Sequence, residues 1–137
     1  MGFCGISQHS FQKRMKILIC EDNQLATRTL TYVLEKEGFE TEKAEDGKIA
    51  LSLMKKTEYD MILMDIHLPF HSGLELVKYL RSDLKLKTPV LVLSAFSDAQ
   101  MQRQAGELDI SGYFVKPIKL TDIKFSGLTL HLRITKC

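Results

Sequence analysis

Four short apolar runs punctuate this chain: Lys16–Cys20 (KILIC), Met61–Met64 (MILM), Pro89–Ser94 (PVLVLS) and Tyr113–Val115 (YFV). Each is shorter than a typical helix and lacks polar alternation, so each reads as a strand buried on both faces. Such strands need cover above and below, and the intervening segments supply it. In Gln24–Glu37, Ala26, Leu30, Val33 and Leu34 recur at helical spacing, with Asn23 as N-cap and Gly38 as stop. A second helix opens after Asp46 with Ile49, Ala50, Leu53 and Met54 on one face, and a third, Gly73–Arg81, buries Leu74, Val77 and Leu80. Phe39–Lys43 reads as a weaker strand. A fourth helix, near Asp98–Glu107, offers only Met101 and Ala105 as an apolar stripe, which predicts weak packing. Because right-handed crossovers leave few topologies, the expectation is a doubly wound α/β fold: a five-stranded parallel sheet of order 2-1-3-4-5.

At 137 residues, 45% apolar and 26% charged, one domain with its own core is expected, without disulfide or metal staples. The formal net charge of +2 is unevenly spread: Met15–Ile123 holds 14 Lys and Arg against 17 Asp and Glu, and the remaining basic residues lie at the two ends. That is no basic patch, and direct nucleic-acid binding is not expected. Cys4, Cys20 and Cys137 are odd in number and lack zinc or disulfide spacing, which points to a reducing cytoplasm. The histidines share no metal-ligand spacing. No apolar run is long enough to cross a membrane, and Ile6 stands where a myristoylation signal wants Ser or Thr. Regular periodicity begins at Met15, so residues 1–14 read as a loose extension upstream of a second candidate start, and residues 15–123 as the domain. Leu120–Phe125 begins a fifth helix that Gly127 interrupts, and Leu130–Ile134 alternates like a strand. Residues 124–137 are therefore read as an atypical tail after a shortened fifth helix.

In a doubly wound sheet, groups at the carboxyl ends of the strands converge on one crevice. Here Glu21 and Asp22 follow the first strand, Asp65 the third, Ser94 ends the fourth, and Lys116 ends the fifth just before Pro117. Three clustered carboxylates repel one another unless a cation compensates. Magnesium suits an all-oxygen set, with Asp22 and Asp65 touching the ion and the longer Glu21 reaching it through water. A carboxylate oxygen of Asp65 can then attack a phosphoryl group in line. Ser94 and Lys116 would each balance one phosphoryl oxygen and the metal a third, while the small Ala95 leaves space.

The segments ICEDN, MDIHLPFHSG, VLSA and YFVKP, in this order and at strand ends, resemble the receiver domains of two-component response regulators, the CheY-like, flavodoxin-like fold. The resemblance runs from about Met15 to Ile123. It implies that Asp65 is the phosphoacceptor, Glu21 and Asp22 the acidic pair, Ser94 the switch hydroxyl, Lys116 the phosphate-binding lysine and Tyr113 the aromatic switch. It implies also that the backbone carbonyl of His67 is the remaining protein ligand to Mg2+. The phosphoryl donor would be a sensor histidine kinase or phosphotransfer protein, and the signal would pass to a downstream protein through helix 4, strand 5 and helix 5. Glu21 stands for the commoner Asp and Ser94 for the frequent Thr, each keeping the needed oxygen. His67 is placed to tune water access. The interrupted fifth helix leaves a homodimer through helices 4 and 5 an open expectation. Two competing readings remain: an aspartyl-phosphate hydrolase, which would want a second Asp where His67 stands, and a receiver-shaped binding module that works without phosphate.

Overall fold

The computed structural model describes residues 14–95 and 99–116. The chain runs β1 (Lys16–Cys20), α1 (Gln24–Lys36), β2 (Glu40–Ala44), α2 (Gly47–Lys56), β3 (Met61–Asp65), α3 (Gly73–Ser82), β4 (Val90–Ser94), α4 (Ala99–Gly106) and β5 (Gly112–Val115). The five strands form one parallel sheet in the order β2-β1-β3-β4-β5, as the apolar runs predicted. The fifth helix and tail expected after Pro117 lie outside the described residues.

Every residue of β3 and β4 is buried, which explains why these runs carry no polar alternation. The two-residue period is still present, hidden inside them. Ile17, Ile19, Met61, Leu63, Leu91 and Leu93 pack toward Leu30 and Leu34 of α1. Their neighbours Leu18, Cys20, Ile62, Met64, Val90 and Val92 pack with residues of α2 and α3. The edge strand β2 (ETEKA) buries only Ala44 fully, as a strand with one protected side should.

Helix starts follow local chemistry. Asn23 Oδ1 accepts the Ala26 N–H at 2.9 Å and Asp46 Oδ1 the Ile49 N–H at 2.9 Å. Ser72 and Glu75 form a reciprocal capping box that fixes the start of α3. Gly38 ends α1 with φ +96°, a conformation that L side chains rarely adopt.

Several details differ from the sequence expectation. β2 starts one residue later. Ile49 is 40% exposed, because the buried stripe of α2 runs through Gly47, Ala50 and Met54 and turns Ile49 aside. Leu76 joins Val77 and Leu80 in the core, whereas Leu74, at the margin of that stripe, is only partly buried.

α4 is as lightly held as its composition implied: Ala105 is fully buried and Met101 partly. Its exit is tied down by Arg81, whose Nε, Nη1 and Nη2 donate at 2.9 Å to the carbonyls of Leu108, Leu86 and Asp109. Among the described residues no helix is long and apolar enough to cross a membrane.

Cys20 lies wholly inside the sheet. Burial pushes its thiol pKa well above the ordinary range, and the Asp65 charge adds to this. Iodoacetamide at pH 8 is expected to leave Cys20 unmodified in the native protein and to label it once urea unfolds the chain. Peptide mass mapping checks this, and native labelling of Cys20 would contradict the packing of β1.

Candidate functional site

Parallel pairing brings the carboxyl ends of β1, β3, β4 and β5 to one edge, with Cys20 opposite Met64, Asp65 opposite Leu93 and Ser94 opposite Val115. Asp65 is the last residue of β3, not the first beyond it, and is only 2% exposed. Both its oxygens are held: Oδ1 accepts the His67 N–H at 3.1 Å, and Oδ2 accepts Lys116 Nζ at 3.0 Å. Glu21, 1% exposed, accepts the Asn23 N–H on Oε2 at 3.0 Å, while Oε1 faces Lys116 Nζ at 2.8 Å as an ion pair outside hydrogen-bond geometry. Lys116 therefore bridges two carboxylates. Its own backbone N–H donates to the Ser94 carbonyl at 2.7 Å, which fixes β5 against β4 at the level of the site.

Electrostatics follow from this crowding. Burial raises the Glu21 pKa, and the Asp65 charge adds to that rise against the pull of Lys116 and the Asn23 N–H. Burial alone would lower the Lys116 pKa, but its two carboxylate partners outweigh burial and raise it. Lys116 therefore stays an ammonium throughout the neutral range.

One ammonium does not neutralise the site. Carboxylate oxygens of Glu21, Asp22 and Asp65 lie within 4.8 Å of one another, with Asp22 exposed at the rim. The fully buried Glu21 Oε1 without a hydrogen bond, in an all-oxygen donor set with excess negative charge, fits a hard divalent cation such as Mg2+. Beside the cluster a cleft of about 220 Å³ opens between α1 and the end of β2, lined in part by Asp22, Gln24, Arg28, Lys43 and Glu45.

Of the residues singled out from sequence, Lys116 contacts Glu21 and Asp65 directly, and a carboxylate oxygen of Asp22 lies within 4.8 Å of theirs. Ser94 is buried at the end of the adjacent β4. His67 contributes its backbone N–H to Asp65, while the residue itself is exposed. Tyr113 is not in the cluster. It lies opposite Val92, two residues back from the sheet edge, half-buried against the core.

The sequence reading missed Gly73 as a site residue. A β-carbon there would fall 2.2 Å from the carbonyl oxygen of Asp65, and the Gly73 N–H donates to the Ile66 carbonyl at 2.8 Å. The available signal was a glycine at the first position of a helix already capped by Ser72, where glycine has no conformational advantage and so marks a close backbone approach. Gly73→Ala is expected to cost about 1–3 kcal/mol of stability through overpacking, measurable by urea unfolding. An unchanged midpoint would show that α3 can withdraw from Asp65.

The sequence pattern of the response regulator receiver domain matches residues 17–125. The chain belongs to the receiver domain family. This receiver domain is 35% identical over 114 residues to chemotaxis protein CheY-3 of Vibrio cholerae serotype O1, covering 82% of this chain and 88% of that protein. It is 38% identical over 108 residues to the polar-differentiation response regulator DivK of Brucella ovis, covering 76% and 85% of the two chains. A response regulator from Burkholderia pseudomallei, solved with a phosphorylated aspartic acid, calcium ion and citrate, superposes with a TM-score of 0.76 at 27% identity, covering 88% of this chain and 71% of that one. Receiver domains are signalling domains, not classical enzymes, and the two-component setting expected from the motifs follows from this membership.

Proposed function

We propose that this receiver domain accepts a phosphoryl group on Asp65 from the phosphohistidine of a sensor histidine kinase or phosphotransfer protein, and relays the event to a downstream protein in the cytoplasm. The working unit is residues 15–123. The observation that carries the reading is Asp65 itself: a carboxylate buried at a strand end, with an ammonium 3.0 Å from one oxygen and a backbone N–H on the other.

The Asp65 carboxylate attacks phosphorus as the P–N bond to the donor imidazole breaks, and the imidazole leaves with the electron pair and takes up a proton. Lys116 and the Ser94 hydroxyl bind phosphoryl oxygens. Glu21, Asp22, Asp65 and the His67 carbonyl would hold Mg2+, which supplies charge neutralisation for the third oxygen. That the Burkholderia relative carries both a phosphorylated aspartate and a divalent ion supports the assignment. The acyl phosphate formed carries about −1.5 to −2 of charge at pH 7, a net gain of at most about one negative charge over the carboxylate it replaces, together with new acceptor oxygens. It draws Ser94 toward it, and Tyr113 turns into the space released. A differential stabilisation of about 5.5 kcal/mol would take such a switch from mostly off to mostly on. The lightly packed α4 lowers the resistance to rearranging the surface.

Incubation with acetyl phosphate and Mg2+, followed by intact mass, should show a single added phosphoryl group that fails to form when EDTA removes the metal. No incorporation would overturn the proposal. Multiple turnover of a phosphomonoester panel would instead establish the hydrolase.

A further inference from the structure

We propose that the first turn of α2, on the far side of the β3–α3 loop from Asp65, positions the phosphoacceptor: Gly47 and Lys48 hold the loop that grips it. This inference rests on the phosphoacceptor reading of Asp65.

The loop holds Asp65 from its inner end, where the His67 N–H reaches Oδ1 at 3.1 Å and Gly73 packs on the Asp65 carbonyl. Its outer end is strained. The His71 N–H donates to the Pro69 carbonyl at 2.9 Å, closing a three-residue turn around Phe70, which has φ +73°. An aromatic residue seldom occupies that region, and 68% of Phe70 is exposed, so core burial does not hold it there. What holds it is α2. The Gly47 N–H donates to the same Pro69 carbonyl at 2.9 Å, and Lys48 Nζ lies 4.2 Å from the centre of the Phe70 ring. Gly47 also lets the two segments touch: a β-carbon there would sit 2.6 Å from His71 Cβ and 2.8 Å from its backbone nitrogen. The turn is thus clamped from outside by α2, and the same short loop ends on the nucleophile. Gly47 and Lys48 touch neither Asp65 nor a phosphoryl group, so they are positioning residues.

The test compares wild type, Gly47→Ala and Lys48→Met well below their unfolding midpoints, with two readouts. The first is the rate of phosphoryl incorporation from acetyl phosphate at saturating Mg2+. The second is amide hydrogen exchange in residues 66–72, read without metal or phosphodonor. Gly47→Ala should slow incorporation about ten-fold and Lys48→Met about three-fold, since small misplacements of a nucleophile are costly. Both should speed exchange in the loop and leave that of β1 and β4 unchanged. Wild-type incorporation and loop exchange in Lys48→Met, an exposed substitution, together with the same result in folded Gly47→Ala, would overturn the inference. So would faster exchange spread evenly over the sheet, which marks general destabilisation. A wild type that takes up no phosphoryl group would overturn the functional proposal instead, leaving the exchange comparison to decide on the clamp.

Discussion

In Asp65→Asn, phosphoryl incorporation from a small donor should fall below detection while the fold persists. The amide lacks the carboxylate's nucleophilic electron pair, so no other property of the site can restore the acyl phosphate. Stability should change little, because three effects offset the loss of the Asp65–Lys116 ion pair. Lys116 keeps Glu21 as its partner at 2.8 Å. The Asn carbonyl oxygen can still accept one of the two hydrogen bonds now made to Asp65. Repulsion between Asp65 and Glu21 disappears, which lets the Glu21 pKa come down toward its ordinary value. Intact mass and urea unfolding check the two halves separately. Undiminished incorporation in the variant would move the acceptor to another residue.

Lys116→Met should have the largest effect on stability. It leaves Glu21 and Asp65, both almost wholly buried, facing each other without the ammonium that now lies 2.8 and 3.0 Å from them. Removing one partner of a buried pair costs about 3–5 kcal/mol, and since the Lys116 side chain is 25% exposed, a loss near about 3 kcal/mol is expected without metal at neutral pH. The deficit should shrink as the pH falls. Lys116 is one of the influences holding the Glu21 pKa down, so its removal raises that pKa further above the unfolded value. A carboxyl whose folded pKa exceeds its unfolded pKa favours the folded state at low pH and loses that contribution as the pH rises through the folded pKa. Magnesium should stabilise the variant more than the wild type, because the ion no longer competes with an ammonium. Thermal unfolding with and without Mg2+ at two pH values reads all three effects. A metal response equal to that of wild type would mean that Lys116 and the cation do not share the site.

Much of this architecture was legible because burial on both faces leaves a plain mark in sequence. The runs KILIC, MILM and VLVLS could be central parallel strands, and their order, with YFV beside them, forced Glu21, Asp65, Ser94 and Lys116 to one edge. Boundaries were less legible where one residue serves two roles: Asp65 is both a polar site residue and the last residue paired in β3. Ile49 and Leu74 were placed in the buried stripes and Leu76 was left out, because an apolar residue on a helix does not announce how wide the buried stripe is. The part of the site built from backbone left the faintest trace. The His67 N–H on Asp65 has no side-chain signature, and Gly73 and Gly47 matter for the atoms they lack. Phe70 gave no sign of its positive φ, because nothing in an aromatic side chain asks for it.

The three-pronged grip of Arg81 has a mechanical consequence. It anchors the carbonyls of Leu108 and Asp109, just beyond α4, to the end of α3, whereas the helix itself is wedged inward chiefly at Ala105, close to the same end. A pull on that exit segment is therefore borne by α3 through one guanidinium. Toward the other end Met101 packs partly against the core, and that end follows the strand that carries Ser94. In the proposed switch, Arg81 would be the fixed point against which any movement of α4 is made.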